Sequence, residues 1–217
     1  MFKDNKKNIL RREVDFSMVS LFSSKLRVGV IGAGRAGYIK AKHFLEQGCY
    51  VEVLCLESYD KFQELDMYKL KLIREKYSKK FILDKHLIVI AIDGDEDINI
   101  IKSDCESLYK IYINSKSFEN GMGAVPVQKN MNNFIIGINT IGGNPKASVM
   151  LGKKAKENLK EYDDFIGFIT KVRSKVKKMP EIKKDIIDFI ASEDFFFFFE
   201  KGKEEIVLKL FYKDIGF

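Results

Sequence analysis

The clearest chemistry in the chain lies in Gly32-Ala33-Gly34-Arg35-Ala36-Gly37. The spacing is G-x-G-x-x-G, and an acidic residue, Glu57, follows twenty positions after Gly37. Such a pattern suits a dinucleotide. Gly32 lets the chain turn sharply out of a strand. Gly34 leaves room for a pyrophosphate to approach the backbone, and Gly37 lets a helix pack close to the sheet. Free N–H groups at the helix start attract phosphate, so Arg35 and Ala36 join the glycines as expected cofactor contacts. Glu57 is placed to accept hydrogen bonds from the adenosine ribose. Its charge would repel a 2′-phosphate, which favours NAD over NADP.

These residues need a strand, a turn, a helix and a second strand to position them. Val28-Gly29-Val30-Ile31 is a short apolar run suited to a buried parallel strand. Tyr38 to Gln47 switches to helical spacing, with Ile39, Phe44 and Leu45 available for one face. Gly48 ends that helix, and Val51, Val53 and Leu56 resume strand character. Leu70 to Ile73, Leu87 to Ile92 and Lys110 to Asn114 read as further strands, with a helix from Ile98 to Leu108. Alternation of strands and helices predicts a parallel sheet covered on both faces. Ligands bind past the carboxyl ends of such strands. The glycine turn, Ile92-Asp93 in the acidic turn and the segment after Asn114 should therefore face one crevice. Asp15 to Phe22 is apolar and is expected to pack under the first strand.

Beyond Asn114 the character changes. Phe134 to Ile141 reads as a strand and Gly142-Gly143-Asn144-Pro145 as a turn, with Asn144 as a helix N-cap and Pro145 in the first helical turn. Apolar residues at helical spacing run through 158–178 and again through 181–191. Phe195 to Phe199 is a run of phenylalanines, expected to form a short helix buried on most sides, with a partner subunit as one cover. The predicted organisation is α/β: a Rossmann dinucleotide-binding domain at 1–113, a dimerisation segment at 114–146 and a helical domain at 147–217.

The 217 residues carry a formal net charge of +7, with lysine spread along the chain. That balance suits an anionic ligand as well as a solvated surface. No helix-turn-helix, zinc spacing or RNP motif supports nucleic-acid binding. Cys49, Cys55 and Cys105 form no C-x-x-C, and Met1 to Arg12 is polar and basic rather than a signal. The expectation is a reduced, cytoplasmic protein that neither spans a membrane nor holds a permanent metal.

Taken in order, these segments resemble the precorrin-2 dehydrogenase family of sirohaem synthesis, which includes bifunctional sirohydrochlorin ferrochelatases. The resemblance runs from about Phe16 to Glu157. The glycine turn and Lys40 are similar to the family's G-G-G-x-V-A-x-R-K, with Gly37 and Ile39 replacing an alanine and an arginine. Leu87 to Asn99 resembles L-V-I-A-A-T-D-D-x-x-L-N, and Lys110 to Asn114 a strand ending in N-V-V-D. Pro126 and Phe134 to Pro145 resemble its F-P-A segment and S-T-G-G-x-S-P turn. The resemblance implies a homodimer that oxidises precorrin-2 to sirohydrochlorin with NAD⁺, with ferrochelation as an additional activity to test. The substrate is a tetrapyrrole bearing many carboxylates. Asn114, Asn144, Lys146 and Lys153 are the expected substrate contacts.

The chain departs from the family where the catalytic aspartate belongs. Asn114-Ser115-Lys116-Ser117 matches N-V-V-D, so Ser117 stands at the acid's position and Glu119 is the nearby substitute. A serine without a partner base does not take a proton as a carboxylate does. The competing reading is therefore a relative that binds, carries or senses a tetrapyrrole without oxidising it. A nucleotide-sensing regulatory domain ranks last, because the glycine turn alone would support it. His43 and His86 lie away from the strands' carboxyl ends and are expected to be structural.

Overall fold

The computed structural model describes residues 16–65, 68–177, 179 and 181–212. The chain divides into two compact units, 1–125 with 141–143, and 126–140 with 144–217.

The first unit is built on five parallel strands: β1 (Arg27–Ala33), β2 (Tyr50–Ser58), β3 (Leu70–Arg74), β4 (Leu87–Ile90) and β5 (Ile111–Asn114). Their order is β3-β2-β1-β4-β5, so the winding reverses between β1 and β4. Alternation sends successive side chains to opposite faces. Val28, Val30 and Val89 join Ala41 and Phe44 of α1 (Arg35–Glu46) in one core. Ile31, Ile88 and Ile90 join Ile98, Ile101 and Cys105 of α2 (Asp95–Ser107) in the other. Burying each such side chain contributes about 1.5–3 kcal/mol relative to exposure. At the sheet's amino-terminal edge, the buried Lys85 ammonium pairs with Glu52 at 2.9 Å and Asp84 at 2.5 Å.

The helix α1 starts at Arg35, three residues before the apolar spacing begins, because the last glycine-turn residues are already helical. Ile39 was expected on its inner face but is 54% exposed, since Gly37, Ala41 and Phe44 form that face instead. The described part of the Asp15–Phe22 segment does not pack under β1. Met18, Val19, Leu21 and Phe22 are exposed, because β1 already has strands at both edges and helices on both faces; Leu26 packs against the core instead.

The second unit opens with a hairpin, β6 (Val127–Asn130) and β7 (Ile135–Ile138), covered by α3 (Pro145–Asn158). Asn144 caps α3 as its spacing implies, its side-chain oxygen accepting from Ala147 N at 3.1 Å. The helices α4 (Tyr162–Val176), α5 (Lys183–Ile190), α6 (Glu193–Glu200) and α7 (Glu204–Phe211) share a core of Phe165, Val172, Ile186, Ile190, Phe195 and Leu208. Asp163 joins the helices to the hairpin loop. Its buried carboxylate accepts from the backbone N–H of Asn133 at 2.8 Å and of Asn132 at 3.0 Å. Burial alone would raise this carboxyl's pKa, but the hydrogen bonds from Asn133 and Asn132 outweigh it and hold the value below the usual range. The phenylalanine run is helical, as expected, and Phe195 and Phe196 are buried against this unit's own helices. Among the described residues, no helix is long and apolar enough to cross a membrane.

Candidate functional site

The glycine turn leaves β1 at the carboxyl edge of the sheet, where the strand order reverses. Two of its three glycines are required, each for a different reason. Gly32 has φ +102°, and a Cβ there would lie 2.3 Å from the Ala91 carbonyl oxygen. A Cβ on Gly37 would lie 2.0 Å from the Gly32 carbonyl oxygen, so this glycine sets how closely α1 crosses β1. Gly34 has an ordinary extended backbone, and a Cβ there would meet nothing within 4 Å. What glycine preserves at that point is open space over the helix start.

That start fits a pyrophosphate. Gly34 is the N-cap of α1 and makes no side-chain cap, and the first turn holds no acid. Arg35 and Ala36 are exposed beside it. The leading N–H groups and the helix dipole thus have no carboxylate of the first turn beside them, an arrangement suited to an anion. Glu57 is exposed at the far end of β2. There the pairing slips: Ile31 faces Leu54, while Ala33 faces Ser58. The extra residues bulge outward and carry Leu56 and Glu57 into solvent. Ile92 touches Gly32's position from the loop after β4, with Asp93 exposed next to it. Lys116 ties this loop to the one after β5. Its ammonium donates to the Asp93 carbonyl at 3.1 Å and the Asp95 carboxylate at 2.6 Å.

The loop after β5 carries the second group of candidate residues. Asn114 is buried, and its side-chain oxygen accepts the N–H groups of Lys116 at 2.9 Å and Ser117 at 3.3 Å. Its carbonyl oxygen is thus committed to a turn that presents Ser117. Ser117 caps a single 3-10 turn, Phe118–Asn120, and its hydroxyl accepts from the Asn120 amide at 3.2 Å. Glu119 is exposed in that turn. Phe118 packs against Gly143, which has φ +63°; a Cβ there would lie 2.2 Å from the ring. The Gly142-Gly143 turn and the Ser117 loop are therefore one packed assembly. Ser115, Phe118 and Asn120 were not singled out in the sequence. The Asn114 turn, with its Asx spacing, was the signal that could have drawn attention to them.

Asn144, Lys146 and Lys153 belong to the second unit. Asn144 uses its side chain as a helix cap, while Lys146 and Lys153 are exposed on α3, two turns apart. Neither histidine is drawn into the crevice residues. His86 Nδ1 accepts the Arg27 N–H at 3.0 Å at the amino-terminal end of β1. On α1, burial and then the Lys40 charge push His43 below its ordinary pKa, against the pull of Glu46. Burial pushes all three cysteine thiols up, Cys105 to about 12, which leaves them poor nucleophiles.

Residues 19–126 match the family described as "Putative NAD(P)-binding". No curated protein matches the chain. Among solved structures, SirC, a precorrin-2 dehydrogenase, is similar over 91% of this chain and 100% of its own, with a TM-score of 0.69 and 19% identity. A D-lactate dehydrogenase from Sporolactobacillus sp aligns over 44% of this chain and 28% of its own, with a TM-score of 0.35 and 21% identity, an overlap too partial to inform the fold. The chain has the fold of the precorrin-2 dehydrogenase SirC, and its residues 19–126 match the NAD(P)-binding family.

Proposed function

We propose that this protein is an NAD⁺-dependent dehydrogenase that oxidises precorrin-2 to sirohydrochlorin. The observation that carries the reading is the fold shared with SirC along that protein's whole length, with the α1 start left open for a dinucleotide. The bound nicotinamide supplies a hydride acceptor. Gly32, Gly34, Arg35, Ala36 and Gly37 hold the pyrophosphate through backbone N–H groups. Glu57 receives the adenosine ribose and disfavours a 2′-phosphate. Ile92 and Asp93 flank the other half of the cofactor. Asn114 fixes the turn that offers Ser117 and Glu119 to the substrate. Lys146 and Lys153, with Asn144, meet its carboxylates. The dinucleotide and the macrocycle meet in a cytoplasmic homodimer, with no nucleic acid or membrane as partner. Incubation with freshly made precorrin-2 and NAD⁺ should speed sirohydrochlorin formation over an enzyme-free control. An absence of NAD⁺-dependent acceleration would sink the proposal.

One observation favours a second reading, a relative that binds a tetrapyrrole without oxidising it. The side-chain partner of Ser117 is the Asn120 amide, which does not accept a proton as a carboxylate does. Ser117→Asp separates the two. A wild type that binds sirohydrochlorin but gains dehydrogenase activity only on substitution supports the binding role. A wild type already active and unchanged by the substitution removes it. Iron insertion into sirohydrochlorin, with and without the protein, tests ferrochelation.

A further inference from the structure

Ser115 is the first residue beyond β5. Its hydroxyl oxygen is buried and has no hydrogen-bond partner among the described residues. Native proteins pair almost all such groups, so an orphaned hydroxyl at the carboxyl edge of the sheet points to a ligand. The backbone around it is still in register with the sheet: Ser115 N–H donates to the Ile90 carbonyl at 2.9 Å, and Ala91 N–H to the Ile31 carbonyl at 2.8 Å. Gly32, Ala91 and Ser115 therefore stand side by side at the carboxyl ends of β1, β4 and β5. By alternation Ser115 shares the face of Ile113, Val89 and Val30, which is the face α1 covers. Strand spacing puts it about 10 Å across the sheet from Gly32. A dinucleotide with its pyrophosphate on the α1 start and its adenosine ribose at Glu57, beyond β2, extends its other half over β4 and β5.

We propose that the Ser115 hydroxyl binds the nicotinamide carboxamide of the dinucleotide, fixing which way the ring lies. The inference rests on the cofactor reading above. A carboxamide offers both a donor and an acceptor, and a hydroxyl can satisfy either.

Calorimetric titration of wild type and Ser115→Ala with NAD⁺ and with ADP-ribose, which lacks nicotinamide, tests the assignment. The substitution should weaken NAD⁺ by about 5- to 10-fold, as for one lost hydrogen bond, and leave ADP-ribose unchanged. Ser115→Thr, which keeps the hydroxyl, should retain most of the NAD⁺ affinity. The ligand-free melting temperature of Ser115→Ala should not fall, whereas a hydroxyl with only a structural role would lower it. Equal weakening of both ligands, or no weakening of NAD⁺, overturns the assignment. A wild type that binds neither ligand overturns the cofactor reading itself.

Discussion

The helices α1 and α2 begin at the same edge of one sheet, each from a glycine N-cap without a capping side chain, Gly34 and Gly94. Their first turns are opposites. In α1 there is no acid. In α2 there are three, Asp95, Glu96 and Asp97. Both backbones expose leading N–H groups and a positive dipole end. α2 meets these with its own carboxylates, and Lys116 balances one of them. α1 leaves them without such a partner. Local sequence, rather than the fold, decides which helix end is left without acids of its own. A third start, on α4, uses an acid differently again: Asp163 turns to the hairpin's backbone N–H groups.

Substituting the glycines tests this contrast most severely. Gly37→Ala drives a methyl into the Gly32 carbonyl, so it should cost upwards of about 3 kcal/mol in chemical denaturation, the exceptional range for one substitution. In Gly94→Ala the methyl meets only the Asp97 carboxylate, at 3.4 Å, and stability should change by less than about 1 kcal/mol. Equal losses would mean that the two turns are not packed differently.

Gly34→Asp should next convert α1 into a second α2. The new carboxylate caps the helix and raises stability by a few tenths of a kcal/mol. It should also weaken NAD⁺ binding by more than about 10-fold, since it places a like charge at the phosphate position. NAD⁺ affinity surviving that change would place the phosphates elsewhere.

The α4 start gives a pH signature. Because Asp163 has its pKa depressed in the folded protein, its contribution is present above the unfolded value of about 3.9 and fades as pH falls through the folded value. Asp163→Asn should lower the neutral-pH melting temperature and flatten the acid limb of the stability profile. A parallel acid limb in the variant would assign the acid sensitivity to other groups.

The smallest effect concerns Lys116. Its pair with Asp95 is largely solvent-exposed, so Lys116→Met should cost under about 1 kcal/mol, and the difference should shrink in high salt.

The turn into α1 was legible because its requirements are local. Turn, helix and strand follow one another within thirty-odd residues, and Gly32 and Gly37 each report a backbone demand. The loop after β5 was legible only in part. Asn114 and Ser117 stood out by resemblance, but Phe118 matters through Gly143, twenty-five positions away, and nothing local announces that contact. The strand β6 was not expected, since Gln128-Lys129-Asn130 is polar; a hairpin covered on one face tolerates this. The interruption between α3 and α4 was also hidden, because Leu159 continues the apolar spacing while the hydrogen bonds tighten to Tyr162 N–Leu159 O and Asp163 N–Lys160 O.

Phe195 to Phe199 is a single letter repeated, yet winding into α6 gives each copy a different neighbourhood. Phe195 is fully buried against Phe165, Phe168 and Phe189. Phe196 stacks on Tyr162 at 4.3 Å, whereas Phe197 is 53% exposed. Selection therefore acts on the repeats unequally. Polar replacements should be tolerated at 197 in a library of variants and purged at 195, so the uniform run should not persist as a run during neutral drift.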